Sequence, residues 1–198
     1  MTDPVRFEET FEDQLSEGWS WIHEAPEAWH IKDQELHLQT LPGTLWGERN
    51  DARNILLRPA LELEPGLASE VQVTNAPVLQ GEQAGLIWYL DEGNYIKLVK
   101  ERLDDRIWIV LAREENEQPA LVNRVPFLPQ TARLRLTLVQ ERVVGQVLTP
   151  EDSEWQTVGE CDPISTPMLQ FGIFTHGGPN DTRRSAQFSS FKVYRLES

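Results

Sequence analysis

Residues 94–118 read NYIKLVKERLDDRIWIVLAREENEQ, and how they fold decides the architecture. The stretch lacks proline and glycine, and its Lys, Glu, Arg and Leu content would suit one long helix. Two features argue for a pair of strands. Tyr95-Ile96 and Ile107-Trp108-Ile109-Val110 are aromatic and β-branched, shapes that crowd a helical turn but fit a pleated surface. Asp104-Asp105 punctuates the middle, as short polar side chains do in turns. A hairpin centred on that pair puts Glu101 opposite Trp108.

On the N-terminal side, Gln83 to Leu90 is the preceding strand and Asp91-Glu92-Gly93-Asn94 its turn. Whether Glu92-Gly93 alone or all four residues form the loop, Leu90 faces Tyr95, Trp88 faces Lys97, Leu86 faces Val99 and Ala84 faces Glu101. One face of the three-strand unit then carries Trp88, Tyr95, Lys97, Glu101 and Trp108. The other, with Gly85, Ile87, Ile96, Leu98 and Ile109, is expected to lie between two sheets.

Elsewhere thirteen prolines and twelve glycines cut the chain into short segments, within which apolar and polar residues mostly alternate. Glu35 to Gln39 points Leu36 and Leu38 one way, and Arg133 to Leu138 does the same with three leucines, the period of a half-buried strand. Further strands are expected at Arg53–Arg58, Leu67–Thr74, Val143–Leu148, Trp155–Gly159, 168–175 and 186–196. The pattern indicates an all-β sandwich or barrel. With no internal repeat and no dividing linker, residues 1–198 are read as a single domain.

Of the 198 residues, 18 are Lys or Arg and 32 are Asp or Glu, a formal net charge of -14. Phosphate binding needs cations, so nucleic acid and anionic membranes are poor partners, whereas neutral ligands remain open. No run approaches the roughly 18 apolar residues of a membrane span. The start, MTDPVRFEETFEDQ, is acidic where a signal peptide is basic, so a cytoplasmic protein is expected. Cys161 is alone, and His23, His30 and His37 lack metal-ligand spacing with an acidic partner, so no transition metal is assigned.

The order of motifs carries a resemblance. Phe7-Glu8-Glu9-Thr10-Phe11 is followed by Trp19-Ser20-Trp21, Trp29, Gln34 to Leu38 and Asn54 to Arg58. Gln83-Ala84-Gly85-Leu86 precedes Asn94-Tyr95-Ile96-Lys97, and near the end come Leu134 to Leu136, Ser153 to Trp155, Phe171-Gly172-Ile173 and Ala186 to Phe191. This succession resembles the concanavalin A-like lectin/glucanase superfamily, and within it the DUF1349 and β-xylosidase C-terminal-like group. The resemblance implies a jelly roll of two antiparallel sheets, one of them concave, in a group whose members occur both as accessory domains of glycosidases and alone. Many superfamily members hold a structural calcium, for which Asp13, Glu9 and Asp181 are hard ligands, but no calcium loop is present and no cofactor is assigned.

The Trp88, Tyr95, Lys97, Glu101 and Trp108 face suits a sugar: rings cover its apolar CH face while charged groups bond its hydroxyls. The competing reading has these aromatics pack under loops while Lys97 pairs with Glu101. Trp46, in the Gly- and Pro-containing loop Leu41 to Gly47, is either a platform beside a cleft or a staple, with Arg49 and Arg53 nearby as donors. His176 precedes Gly177-Gly178, where backbone can approach a ligand closely, or is an exposed turn histidine. Trp19, Trp21, Trp29 and Trp155 are assigned to sandwich edges or core. Glu114 to Glu117 and Glu151 to Glu154 are read as solvated hairpin tips.

No alternating run of carboxylates of the laminarinase type occurs, nor any nucleophile elbow or phosphate loop. The leading expectation is non-catalytic binding of a small carbohydrate or oligosaccharide at Trp46, Arg53, Trp88, Tyr95, Lys97, Glu101, Trp108 and His176. A protein-interaction or regulatory module using the same aromatics is the alternative, and a glycoside hydrolase with an unconventional carboxylate pair is the third. The sequence leaves the oligomeric state open.

Overall fold

The computed structural model describes residues 5–59, 63–164, 169–178, 181 and 183–196; Met168, the expected start of one strand, lies outside them. In chain order, the first strands are β1 (Val5–Glu9), β2 (Ser20–Ile22), β3 (Trp29–Lys32), β4 (Glu35–Gln39), β5 (Leu45–Trp46), β6 (Arg49–Asn50), β7 (Ile55–Pro59) and β8 (Leu67–Thr74). The decisive region supplies β9 (Gln83–Asp91), β10 (Asn94–Leu103) and β11 (Arg106–Glu115). There follow β12 (Gln118–Pro126), β13 (Thr131–Val139), β14 (Arg142–Leu148), β15 (Gln156–Cys161), β16 (Gln170–His176) and β17 (Ser185–Arg195). The stretch 94–118 is thus two strands, turning at Asp104 and Asp105, both at positive φ.

Two antiparallel sheets face each other, a concanavalin A-like sandwich. One runs β15-β14-β13-β8-β17-β4-β3, with β1 also pairing β17, and the other β12-β11-β10-β9-β16-β7-β2. β5 and β6 form a separate two-stranded hairpin. The layer between the sheets is apolar: Leu36, Leu38, Val71, Val73, Leu86, Ile96, Leu98, Leu134, Leu136, Ile173 and Phe188 are all fully buried there.

Six strands, including β12, lay outside the expected set, and β12 shows why. Pro119 and Pro126 argue against a strand in sequence, but β12 is the edge of its sheet, where a missing N–H donor leaves no gap in the ladder. The tryptophans assigned to edges or core include Trp19, Trp21 and Trp29, which pack half-buried against that core. Trp155, partly buried and just before the edge strand β15, lies against the guanidinium of Arg135, 4.0 Å from its ring centre.

The register between β9 and β10 differs by one residue from expectation. Asn94 pairs with Asp91, but Tyr95 then pairs with Tyr89, so Leu90 is bulged out of the ladder. From there Ile96 faces Trp88, Lys97 faces Ile87, Leu98 faces Leu86 and Glu101 faces Gln83. Since side chains alternate between faces, this single extra residue turns all of β9 over. Trp88 therefore belongs to the layer between the sheets, fully buried with its Nε1–H donating to Ser69 Oγ at 2.8 Å. The pairing of β10 with β11 is as expected, with Glu101 opposite Trp108.

Glu9, taken as an available calcium ligand, has its carboxylate spent on protein donors. It accepts from the backbone N–H of Phe11 at 3.0 Å and Ser16 at 2.8 Å, and from Trp19 Nε1–H at 2.9 Å. Burial acts to raise its pKa, but these bonds outweigh burial and hold it below the ordinary carboxylate value. Asp13 and Asp181 are exposed. Among the described residues no three His, Cys, Asp or Glu side chains gather closely enough to hold a metal ion. No helix among them is long and apolar enough to cross a membrane.

Candidate functional site

The outer face of the second sheet is covered, which the aromatic-platform reading did not anticipate. The hairpin of β5 and β6 and the residues that follow it lie over this face as a flap. Leu45 and Ala52 of the flap form a second apolar cluster with Ile55, Leu57, Ile87, Tyr89, Tyr95, Val99, Val110, Ala112 and Phe174. Both faces of β9 and β10 are consequently buried, so polarity does not alternate along them.

The flap is fastened by polar bonds from below. Lys97 Nζ donates to the carbonyl of Leu45 at 2.7 Å, and Gly47 N–H donates to Glu114 Oε2 at 3.0 Å. Tyr95 OH donates to the same carboxylate oxygen at 2.6 Å. Burial and Glu114 together hold the Tyr95 phenol firmly protonated. Glu114, expected at a solvated hairpin tip, is thus fully buried; the solvated turn is Asn116-Glu117, both at positive φ. At the base of the flap, Gly43 N–H bonds the Gly178 carbonyl at 2.8 Å. Gly43 has φ +141° and a Cβ there would lie 2.8 Å from the Asp51 carbonyl oxygen, so only glycine lets the chain double back here.

Beside the flap opens a cleft of about 500 Å³, the size that takes one or two sugar rings. Its floor is a row of side chains laid across neighbouring strands. His176 of β16 pairs with Gln83 of β9, and Gln83 with Glu101 of β10. Lys97 lies on the same face of β10, four residues before Glu101. Val110, Ala112, Leu103 and Leu121 supply apolar wall, Leu45 and Trp46 the flap side, and Arg49 stands on the rim. Trp46 is 42% exposed, with Lys97 Nζ 5.3 Å from its ring centre.

The floor has hydrogen-bonding capacity that the protein does not use. Gln83 Nε2 donates to Glu101 Oε1 at 3.0 Å, which leaves Gln83 Oε1 buried without a partner. His176 Nδ1 accepts from the Gly178 N–H at 3.2 Å, placing the ring proton on Nε2, and that buried nitrogen also has no partner. Burial, with Lys97 nearby, drives the pKa of His176 well below 6.5, so the ring is neutral. Burial lowers the Lys97 ammonium to about 8, against the pull of Glu101 and Glu114. Glu101 is raised by burial, with Lys97 and Gln83 opposing. Unspent donors on Lys97 and His176 therefore stand beside unspent acceptors on Gln83 and Glu101.

Of the eight expected site residues, Trp46, Lys97, Glu101 and His176 line this cleft. Tyr95 lies under the flap with its hydroxyl spent on Glu114. Trp108 sits beyond Glu101 in the same row, with Nε1–H donating to the Leu103 carbonyl at 3.1 Å and the Arg124 guanidinium 4.3 Å from its ring centre. Arg53 is exposed and outside the cleft lining, and Trp88 is in the core. Gln83 was missed because the expected register left no place for it on this face. The direct Lys97–Glu101 pair of the competing reading does not form: Lys97 bonds Leu45 and Glu101 bonds Gln83.

The family model of the β-xylosidase C-terminal concanavalin A-like domain matches residues 8–194. No curated protein matches the sequence. Among solved structures, the GH43 protein BlXynB of Bacillus licheniformis superposes with a TM-score of 0.85 at 19% identity, over 96% of this chain and 39% of that one. The xylan β-1,4-xylosidase of Bacillus halodurans gives 0.81 at 15% identity, over 98% and 40%. A functionally unknown protein of Saccharomyces cerevisiae gives 0.75 at 15% identity, over 91% of this chain and 98% of that one. The chain spans about two-fifths of the length of the two Bacillus proteins.

Proposed function

The chain belongs to the β-xylosidase C-terminal concanavalin A-like domain family, and from that premise we propose that it binds a small carbohydrate in the cleft beside Trp46 without cleaving it. The observation that carries this reading is the pair of buried, unpartnered polar atoms on the floor, His176 Nε2 and Gln83 Oε1. A buried polar group left unpaired costs about 1–3 kcal/mol. A ligand bearing adjacent hydroxyls relieves both, since each hydroxyl accepts from one neighbour and donates to another. The apolar wall and the exposed Trp46 ring supply the contact that a sugar's CH face requires.

Hydrolysis is disfavoured because it needs two carboxylates across the scissile bond. Among the described residues lining the cleft, Glu101 is the one carboxylate. A protein partner at the same place draws support from Trp46 and Leu121, both exposed at the mouth, yet it gives no reason for unpaired polar atoms on the floor. Neither reading requires the chain to act other than as one domain.

Calorimetric titration with xylose, glucose and their short oligomers tests the proposal. We expect saturable binding that weakens about tenfold or more in His176→Ala, the loss of one buried hydrogen bond, read well below that variant's melting temperature, which falls because the substitution also empties a buried position and strands the Gly178 N–H. No binding by any of these sugars removes the proposal, as does full retention of affinity in His176→Ala.

A further inference from the structure

We infer that the cleft selects uncharged sugars over acidic ones and that Glu101 is the residue that imposes the selection; this rests on the carbohydrate reading above. Three observations lead there. Among the described residues, the charged side chains that line the cleft are Lys97, Glu101 and, on the rim, Arg49. Arg49 is exposed and its guanidinium lies 3.4 Å from the Asp51 carboxylate, so its charge is largely offset and screened. His176 adds none, because burial keeps the ring neutral. Selection by charge therefore falls to Lys97 and Glu101.

These two form no direct ion pair, although each acts on the other's charge through space, and so both keep capacity for a ligand. They share one face of β10, four residues and so about 13 Å of strand apart at Cα. Lys97 turns its ammonium to the Leu45 carbonyl and Glu101 turns one oxygen to Gln83. Behind them, Glu114 is fully buried and accepts from Tyr95 and Gly47. A carboxylate ligand on this floor would gain Lys97 but lie in the field of Glu101 and Glu114, both of which already act on Lys97. A neutral sugar meets no such conflict: its hydroxyls donate to Glu101 and Gln83 and accept from Lys97 and His176. Like charges brought together in a partly desolvated site weaken binding by a factor of about ten or more.

The test compares three hexose derivatives of nearly equal shape: glucose, glucuronamide and glucuronic acid. With the wild-type protein, glucose and glucuronamide should bind alike and glucuronic acid at least about tenfold more weakly. Glu101→Gln keeps the shape of the side chain and removes its charge, leaving Lys97 and Arg49 as the charged lining. In that variant the preference for glucuronamide over glucuronic acid should shrink by about tenfold. Lys97→Met should enlarge it. Glu114 is unchanged in both variants and cancels from the comparison.

The inference is overturned if the wild type binds the acid as tightly as the amide, or if Glu101→Gln leaves the ratio where it was. Should Glu101→Gln fail to fold, as its melting curve would reveal, the amide-to-acid ratio of the wild type decides alone. Binding of neutral sugars without discrimination sinks the selector and leaves the carbohydrate reading intact. Absence of binding by all three overturns both.

Discussion

Lys100 carries its charge into the sandwich with no carboxylate of the described residues acting on it. Its Nζ donates to three backbone carbonyls, those of Asn75 at 2.6 Å and of Pro129 and Gln130 at 2.8 Å each, so every ammonium proton is used. Burial lowers its pKa to about 8. Lys100→Met removes an expensive buried charge but strands three carbonyls, each costing about 1–3 kcal/mol. We expect a net loss of about 2–4 kcal/mol in denaturant unfolding; a variant as stable as the wild type would contradict the role. Two tryptophans make a sharper contrast. Trp88→Ala empties a site in the packed layer and should cost about 3–5 kcal/mol. Trp46→Ala, at an exposed ring, should leave stability within about 0.5 kcal/mol and act on ligand affinity. Equal effects of the two on melting would refute the assignment of Trp88 to the core.

At the scale of elements, the flap of β5 and β6 decides what is a site and what is merely packed. It covers Tyr95 and leaves the row from His176 to Glu101 open beside it, held by the bonds from Lys97 to Leu45 and from Gly47 to Glu114. Glu114→Ala strips a partner from both Gly47 N–H and Tyr95 OH. Amide exchange at Trp46 and Gly47 should then speed up while the core amides of β9 and β10 stay protected; unchanged exchange in the flap would show that it is held otherwise. The bulge at Leu90 explains why the sequence misled at this level. Asp91-Glu92-Gly93-Asn94 reads as a clean hairpin, and nothing in those residues announces the extra one. Periodicity could not correct the error, because Gln83, Gly85, Ile87 and Tyr89 on one face of β9 are buried as fully as Ala84, Leu86 and Trp88 on the other. On β10 and β11, Asp104-Asp105 fixed the register correctly, and Lys97, Glu101 and Trp108 fell on the right face. Trp46 and His176 were legible from local chemistry alone, as an aromatic and an imidazole beside glycines. The partnerless Gln83 was not, since it becomes visible only when β9 and β16 are paired.

For the whole molecule, the buried lysines set the response to pH. Folding lowers Lys97 and Lys100 to about 8 from an ordinary 10.5. Between those values the unfolded chain holds protons that the native state has released, so stability rises with pH across that window. Above pH ~10 the trend reverses, because burial pushes the Tyr89 and Tyr194 phenols up to about 12 and the native state then retains protons the unfolded chain loses. Below pH ~6.5 stability falls again as His176 must stay neutral while its unfolded counterpart protonates. Melting temperature should therefore be higher at pH 9 than at pH 7.5, with a smaller rise in Lys100→Met; a fall over that interval would contradict the buried ammoniums.

The net charge of -14 bears on which ligands reach the cleft, and it works in the same direction as Glu101, against anions. The central claim is that a sugar occupies the floor between Trp46 and His176. Mapping backbone and indole ¹H–¹⁵N shifts on titration with xylobiose tests it most directly. Perturbations should concentrate at the Trp46 indole, Gln83, Glu101 and the His176–Gly178 segment, with Trp88 and the first sheet unmoved. Shifts centred anywhere else, or none at saturating sugar, would contradict it.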